Sequence, residues 1–185
     1  MSATVTVVVR TRNRPAMLTR ALGSIGSQTF TDYEVVIVND AGDEAEVASV
    51  VDAQDAELRA KIRVVTNAVS KGREAALDCG LQASHNRYYA VHDDDDSWHP
   101  EFLARTVAYL DEHPDAGGVA TRCEIIRERV RADGTCTEIE REVLSTDMYG
   151  LSLVDMMVEN YTPPISQLIR REVADRVGHW DGSLQ

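Results

Sequence analysis

No stretch of this 185-residue chain is apolar for long enough to span a bilayer. The first apolar run, Val5 to Val9, stops at Arg10 and lacks the shape of a secretory signal. Cysteine is scarce. The three residues, Cys79, Cys123 and Cys136, show no metal-ligand spacing. Cys123 and Cys136 fall on opposite arms of an expected hairpin with Asp133-Gly134 at its tip. In that register Cys123 faces Leu144 and Cys136 faces Arg131, so no bridge is expected. An odd count without pairing logic suits a reducing, cytoplasmic location. Positive charge is also short: 19 Lys and Arg against 31 acidic residues leave a net charge of −12. A broad nucleic-acid-binding face needs a basic footprint, and that balance excludes one. No glycine interrupts Arg10 to Pro15 after the first apolar run, which argues against the glycine-rich phosphate loop of nucleotidyltransferases. Repeats, linkers and low-complexity stretches are lacking too, so residues 1–185 are read as a single domain. Hydrophobic residues at 43% and charged residues at 27% suit an ordinary domain with a real core.

What is present is alternation. Thr4 to Arg10 reads as a buried β-branched strand. Asn13 is the expected N-cap of a following helix, with Pro15 in its first turn and Leu18, Ala21, Leu22 and Ile25 on one face. Tyr33 to Asn39 is a second strand. Asp43 to Ala60 reads as one helix with Val47, Val50 and Val51 inward. Ile62 to Thr66 is a third strand and Gly72 to Ser84 a helix, where Ala75, Ala76, Cys79 and Gly80 permit close packing. Arg87 to His92 is a fourth strand, Pro100 to His113 a helix, and Gly117 to Cys123 the start of another strand. This order predicts an α/β fold: a mostly parallel, Rossmann-type sheet with helices on both faces. From about residue 119 the pattern changes. Glu124 to Val130 and Thr135 to Val143 form the expected hairpin. Ser145 to Glu159 reads as helical, Ile165 to Ile169 as a strand and Arg171 to Val177 as a short helix.

Ligands of such sheets bind outside the carboxyl ends of the strands. The polar clusters stand there: Thr11-Arg12-Asn13-Arg14 after strand one, Asn39-Asp40 after strand two, and Asp93-Asp94-Asp95-Asp96 after strand four. Four adjacent carboxylates repel one another unless water or a cation absorbs the charge. An oxygen-rich strand end suits Mg²⁺ or Mn²⁺ and, through the metal, a diphosphate. Alternation along the chain means that all four cannot be direct ligands.

Four stretches, VTVVVRTRNRPAMLTRAL, SQTFTDYEVVIVNDAGDE, YYAVHDDDDSWHPEFL and ISQLIRREVADRVGHWDGSL, together resemble the family 2 glycosyltransferases of the GT-A fold, in order and spacing. The resemblance covers essentially the whole chain. It implies a metal-dependent, inverting transfer of a sugar from a nucleotide diphosphate-sugar to an acceptor hydroxyl, the acceptor being a glycan or a small molecule. A UDP-sugar is favoured as donor, with dTDP- and GDP-sugars also compatible. The alternative is a non-catalytic nucleotide-sugar-binding module, or an inactive fragment that lacks its general base. Residues 1–118 would form the nucleotide-sugar half and residues 119–185 a truncated acceptor-side half that contains the β-hairpin.

By the same likeness, Asp40 addresses the nucleotide base and Thr11 borders the base and ribose pocket. Asp93 and Asp95 are the outer positions of the Asp-X-Asp motif. Asp95 would be the direct ligand of Mn²⁺ or Mg²⁺, Asp93 would contact the ribose or a metal-bound water, and Asp94 would point back toward the nucleotide. Asp96 is expected to cap the next helix. Arg14 either reaches a phosphate or is solvated. Arg73, beside Lys71, either faces the diphosphate or simply begins an exposed helix. Trp98 is expected as wall or core beside the acceptor rather than as a sugar platform. His179, Trp180 and Asp181 match an acceptor-side segment, in which Trp180 either stacks on a sugar or plugs the core. Leu77-Asp78 stands where relatives often carry Arg-Asn, a departure near the donor. The family's base follows a stretch that corresponds to Gly178 to Leu184 here, so the base is expected beyond Gln185.

Overall fold

The computed structural model describes residues 3–131, 136–144 and 161–178. The expected turn at Asp133-Gly134, the helix Ser145 to Glu159, and His179, Trp180 and Asp181 lie outside them.

The apolar runs become the middle of one six-stranded sheet, because strands buried on both faces need neighbours on both edges. Its strands are β1 (Val5–Thr11), β2 (Tyr33–Asp40), β3 (Ile62–Asn67), β4 (Tyr88–Asp93), β5 (Gly118–Ala120) and β8 (Gln167–Arg170), in the order β3-β2-β1-β4-β8-β5. β1 to β4 pair in parallel, and β8 runs antiparallel between β4 and β5. The mostly parallel α/β architecture is therefore as expected. The remaining strands, β6 (Glu124–Val130) and β7 (Cys136–Val143), form a separate antiparallel ribbon.

Period-two alternation sorts the sheet's side chains into two cores. One face carries Val5, Val7, Val9, Val35, Ile37 and Ala90. It packs on α1 (Pro15–Gly26), α2 (Glu44–Asp52), α3 (Ala56–Lys61) and α5 (Phe102–Glu112). The other carries Val8, Val36, Val38, Tyr89 and Val91 against α4 (Arg73–Gln82) and α6 (Arg171–Val177). Gly80 of α4 lies so close to the sheet that a Cβ there would meet Val38 Cγ2 at 2.9 Å and Val8 Cγ1 closer still.

Some expected boundaries move. The helix drawn from Asp43 to Ala60 is two helices. Asp55 caps the second by accepting from the Leu58 N–H at 2.8 Å, so the chain breaks before it. Asn13 does not cap α1, whose N-cap is Arg14 without a side-chain bond. Asn13 instead takes φ 53° and accepts from the Asp43 N–H at 2.8 Å, tying the loop after β1 to the start of α2. The strand drawn from Gly117 to Cys123 shrinks to Gly118–Ala120, and a 3₁₀ turn, Pro164–Ser166, precedes β8. In the ribbon, Leu144 N–H donates to the Cys123 carbonyl, so Cys123 does face Leu144. A register shift between Arg127 and Glu128 moves Cys136 from Arg131 to Val130. No disulfide links Cys79, Cys123 and Cys136, all of which are among the described residues. No helix among the described residues is long and apolar enough to cross a membrane.

Candidate active site

The chain runs outward from β1 to β3 on one side and resumes at β4 on the other. The strand order thus reverses at β1, where an open α/β sheet leaves a crevice. Parallel pairing sets Arg10 beside Asp93 at the outer ends of β1 and β4. A cleft of about 350 Å³ opens there, lined by Arg10, Thr11, Arg12, Arg14, Asp40, Arg73, Ala76, Asp93, Asp94 and Asp95. It gathers every residue expected to meet the nucleotide or a metal. Four arginines face four aspartates in it, so the mouth is locally balanced within a chain of net charge −12. Arg12 belongs to the polar cluster expected after the first strand, without an assigned role, whereas Arg10 was not foreseen. Arg10 sits in the buried run of β1, and only the pairing with β4 shows what it meets.

The four consecutive aspartates have four surroundings. Arg10 donates from Nε to Asp93 Oδ1 at 2.9 Å, and its Nη2 pairs with the same oxygen. Its Nη1 donates to the Arg73 carbonyl at 3.0 Å, which fixes the guanidinium. Asp94 is buried, accepts from Thr11 Oγ1 at 2.8 Å and pairs with Arg14 Nη1 at 3.0 Å. Burial pushes its carboxyl above the ordinary range, with Thr11 and Arg14 opposing. Asp95 projects into solvent and pairs with Arg14 Nη2 at 2.8 Å. Partial burial would raise it, yet the Arg14 bond and charge hold it below the usual value. Asp96 does not cap α5, whose N-cap is Glu101. It turns to a second cleft, and burial followed by repulsion from its three acidic neighbours pushes it up to about 6.

Asp40 is the most heavily bonded carboxylate of the cleft. Oδ1 accepts from Asn67 Nδ2 at 2.8 Å and the Lys71 N–H at 2.9 Å. Oδ2 accepts from Ser70 Oγ at 2.6 Å and the Gly72 N–H at 3.2 Å. Burial would raise its pKa, but those four donors more than offset it and leave the group below its ordinary value. It therefore folds the loop between β3 and α4 over the cleft, with Gly72 at φ 84°. Asn39 closes the loop after β2 by bonding both the N–H and the carbonyl of Gly42. Arg73 projects into solvent and pairs with Glu74. Lys71 turns away to Cys79 Sγ at 3.1 Å.

The second cleft, about 820 Å³, runs from Asp95, Asp96 and Trp98 to the β6–β7 ribbon. Trp98 is its buried wall. The indole stacks on Phe102 at 4.5 Å, meets His92 edge-on at 4.5 Å, and donates Nε1–H to the Ile165 carbonyl at 2.7 Å. His92 is fully buried and its Nε2 lacks a partner. Burial pushes its pKa down to about 4.

The family model for glycosyl transferase family 2 matches residues 6–178. The chain belongs to that family. A similar protein in Bacillus subtilis, the uncharacterized glycosyltransferase YwdF, is 27% identical over 180 residues, covering 97% of this chain and 63% of its own. The succinoglycan biosynthesis protein ExoO of Rhizobium meliloti is 32% identical over 114 residues, 62% of this chain and 30% of its own. Among solved structures, TarS 1–349 of S. aureus in complex with UDP superposes with TM-score 0.73 at 19% identity, covering 98% of this chain and 51% of that one. The mannosyltransferase PcManGT of Pyrobaculum calidifontis, in complex with GDP-Man and Mn²⁺, gives TM-score 0.67 at 19% identity, covering 98% and 48%. This glycosyl transferase family 2 chain therefore spans 63% of the relative YwdF and about half of each of these two structures. At that identity the structural likeness speaks for the fold.

Proposed function

We propose that this chain is the donor-binding part of an inverting, divalent-cation-dependent glycosyltransferase, with the nucleotide diphosphate-sugar in the smaller cleft and the acceptor approaching through the larger. The observation that carries the reading is convergence. Thr11, Arg14, Asp40, Arg73, Asp93, Asp94 and Asp95 come from four separate stretches of chain and line one crevice at the sheet's switch point. Family membership supports the same reaction class. A nucleotide-sugar donor is further supported by structural neighbours described with GDP-Man and Mn²⁺, UDP or UDP-GlcNAc.

Among the described residues, no three His, Cys, Asp or Glu side chains stand together as a metal cage. The donor set fits a different arrangement: hard cations such as Mg²⁺ and Mn²⁺ are commonly held by one or two carboxylates, with substrate phosphate and water completing the shell. Asp95, exposed at the mouth, and Asp93 beside it would hold such an ion. The ion would supply Lewis-acid neutralisation of the departing nucleotide. Asp40 fixes the loop that walls the base pocket, and a base N–H would reach its carboxylate by replacing one of the loop donors, such as the Ser70 hydroxyl. Thr11 and Asp94 set the floor, and Arg14 and Arg73 meet the diphosphate. Trp98 separates the acceptor groove from the core.

The test is calorimetry of UDP, dTDP and GDP, each with and without Mn²⁺, on the wild type and Asp95→Ala. One nucleotide should bind with Mn²⁺, and Asp95→Ala should weaken it at least tenfold while the fold stays intact. Equal affinity in the variant would remove Asp95 from the metal role. Incubating the wild type with the matching nucleotide sugar and assaying release of the nucleotide distinguishes an enzyme from a module that only binds.

A further inference from the structure

Two arginines neutralise the aspartates of the mouth, and they are held differently. Arg10 is only 11% exposed and is locked by Asp93 and the Arg73 carbonyl. Arg14 is 45% exposed and divides its two terminal nitrogens between Asp94 at 3.0 Å and Asp95 at 2.8 Å. Asp94 keeps a second partner in Thr11, whereas the Asp95 carboxylate, 53% exposed, has Arg14 as its cation. The Asp95 oxygen that Arg14 holds belongs to the carboxylate proposed above as the metal ligand. A guanidinium and a divalent ion within a few ångströms of each other at one carboxylate repel strongly.

The geometry points to Arg14 as a resident counter-ion of Asp95. It must let go before a divalent cation binds there, and its freed guanidinium then pairs with the donor diphosphate. This rests on the reading of Asp95 as the metal ligand. Its consequence is energetic coupling. The cation alone competes with Arg14 and binds weakly. A nucleotide diphosphate offers Arg14 another anion, so each ligand raises the affinity of the other by the same factor. Arg14 thus couples the two ligands, so that metal and donor arrive together.

The experiment measures Mn²⁺ binding by the loss of the free-ion electron paramagnetic resonance signal. It uses the wild type, Arg14→Gln, Arg14→Lys, and Arg14→Gln combined with Asp95→Ala, each with and without the nucleotide diphosphate identified by calorimetry. Arg14→Gln should bind Mn²⁺ alone about two- to fivefold more tightly, the scale of an exposed ion pair. The same variant should bind the nucleotide more weakly in Mn²⁺, so the coupling factor falls. Arg14→Lys, which keeps the charge, should resemble the wild type with Mn²⁺ alone. The double variant should lose the gain. A merely structural role for Arg14 would weaken both ligands together. The inference is overturned if Arg14→Gln leaves Mn²⁺ affinity unchanged or weaker while the wild type binds Mn²⁺ with nucleotide. A gain that survives loss of Asp95 also overturns it. Failure of the wild type to bind Mn²⁺ even with nucleotide removes the parent reading, and this inference with it.

Discussion

At the scale of single residues, identical side chains are made different by what they touch. Asp93 is neutralised by Arg10, Asp94 is buried on Thr11, Asp95 faces water, and Asp96 turns to the neighbouring cleft. Substitutions should separate along the same lines. Asp40→Ala leaves the partly buried donors of Asn67, Ser70, Lys71 and Gly72 without their acceptor. It should cost about 1–3 kcal/mol in urea unfolding, and should weaken nucleotide binding with or without Mn²⁺. A loss seen only with metal would contradict its place against the base. His92 supplies a pH test. Its folded pKa of about 4 lies below the unfolded value near 6.5, so the unfolded chain takes up the proton first. Its contribution is present above pH 6.5 and is lost as pH falls toward 4, about 2 kcal/mol by pH 5. His92→Phe keeps a ring against Trp98 and removes the titration. Its stability should fall less between pH 7 and 5 than that of the wild type; parallel curves would refute the assignment.

At the scale of elements, local chemistry decides where helices stop and how closely they lie. Asp55 splits what the apolar spacing presents as one helix, because a carboxylate that caps Leu58 satisfies the new helix start better than continuation does. Helix α4 rests on the sheet through Gly80 and Ala76, which lets the cleft-lining loop reach Asp40. Gly80→Ala gains helix propensity of up to about 1 kcal/mol but drives a methyl into Val8 and Val38. The net expectation is destabilisation of about 1–2 kcal/mol by chemical unfolding, and a more stable variant would show that the sheet yields more readily than this packing implies.

At the scale of the whole molecule, β8 joins late sequence to early sequence. It pairs with β4 and β5, and Arg170 fastens the joint. The buried Arg170 guanidinium donates to the carbonyls of Ala116 at 2.7 Å and His113 at 3.2 Å, and also to that of Leu110 and to the Tyr88 hydroxyl. Arg170→Met would leave these carbonyls unpaired and should lower stability by about 2–4 kcal/mol. Arg170 lines neither cleft, so nucleotide affinity of the folded variant should be retained. A stable variant with lost affinity would mean that β8 controls the site rather than the fold.

What the sequence determined by itself was periodicity and punctuation: buried β-branched strands, amphipathic helices, polar clusters at the strand ends, and four aspartates leaving the last strand of the parallel set. Those features depend on neighbours within a few residues, and from them the α/β class and the main cleft residues were legible. Tertiary structure alone decided the partners. Arg10 looks like an interruption of a buried strand until parallel pairing sets it against Asp93. Asp40 looks like a free carboxylate until the loop from Asn67 to Gly72 folds over it. Arg14 reads equally as a phosphate contact or a solvated first-turn residue until the fourth strand delivers Asp94 and Asp95 to its guanidinium. The physical reason is that hydrogen bonds and ion pairs act over about 3 Å in space, between residues separated by about eighty positions in the chain.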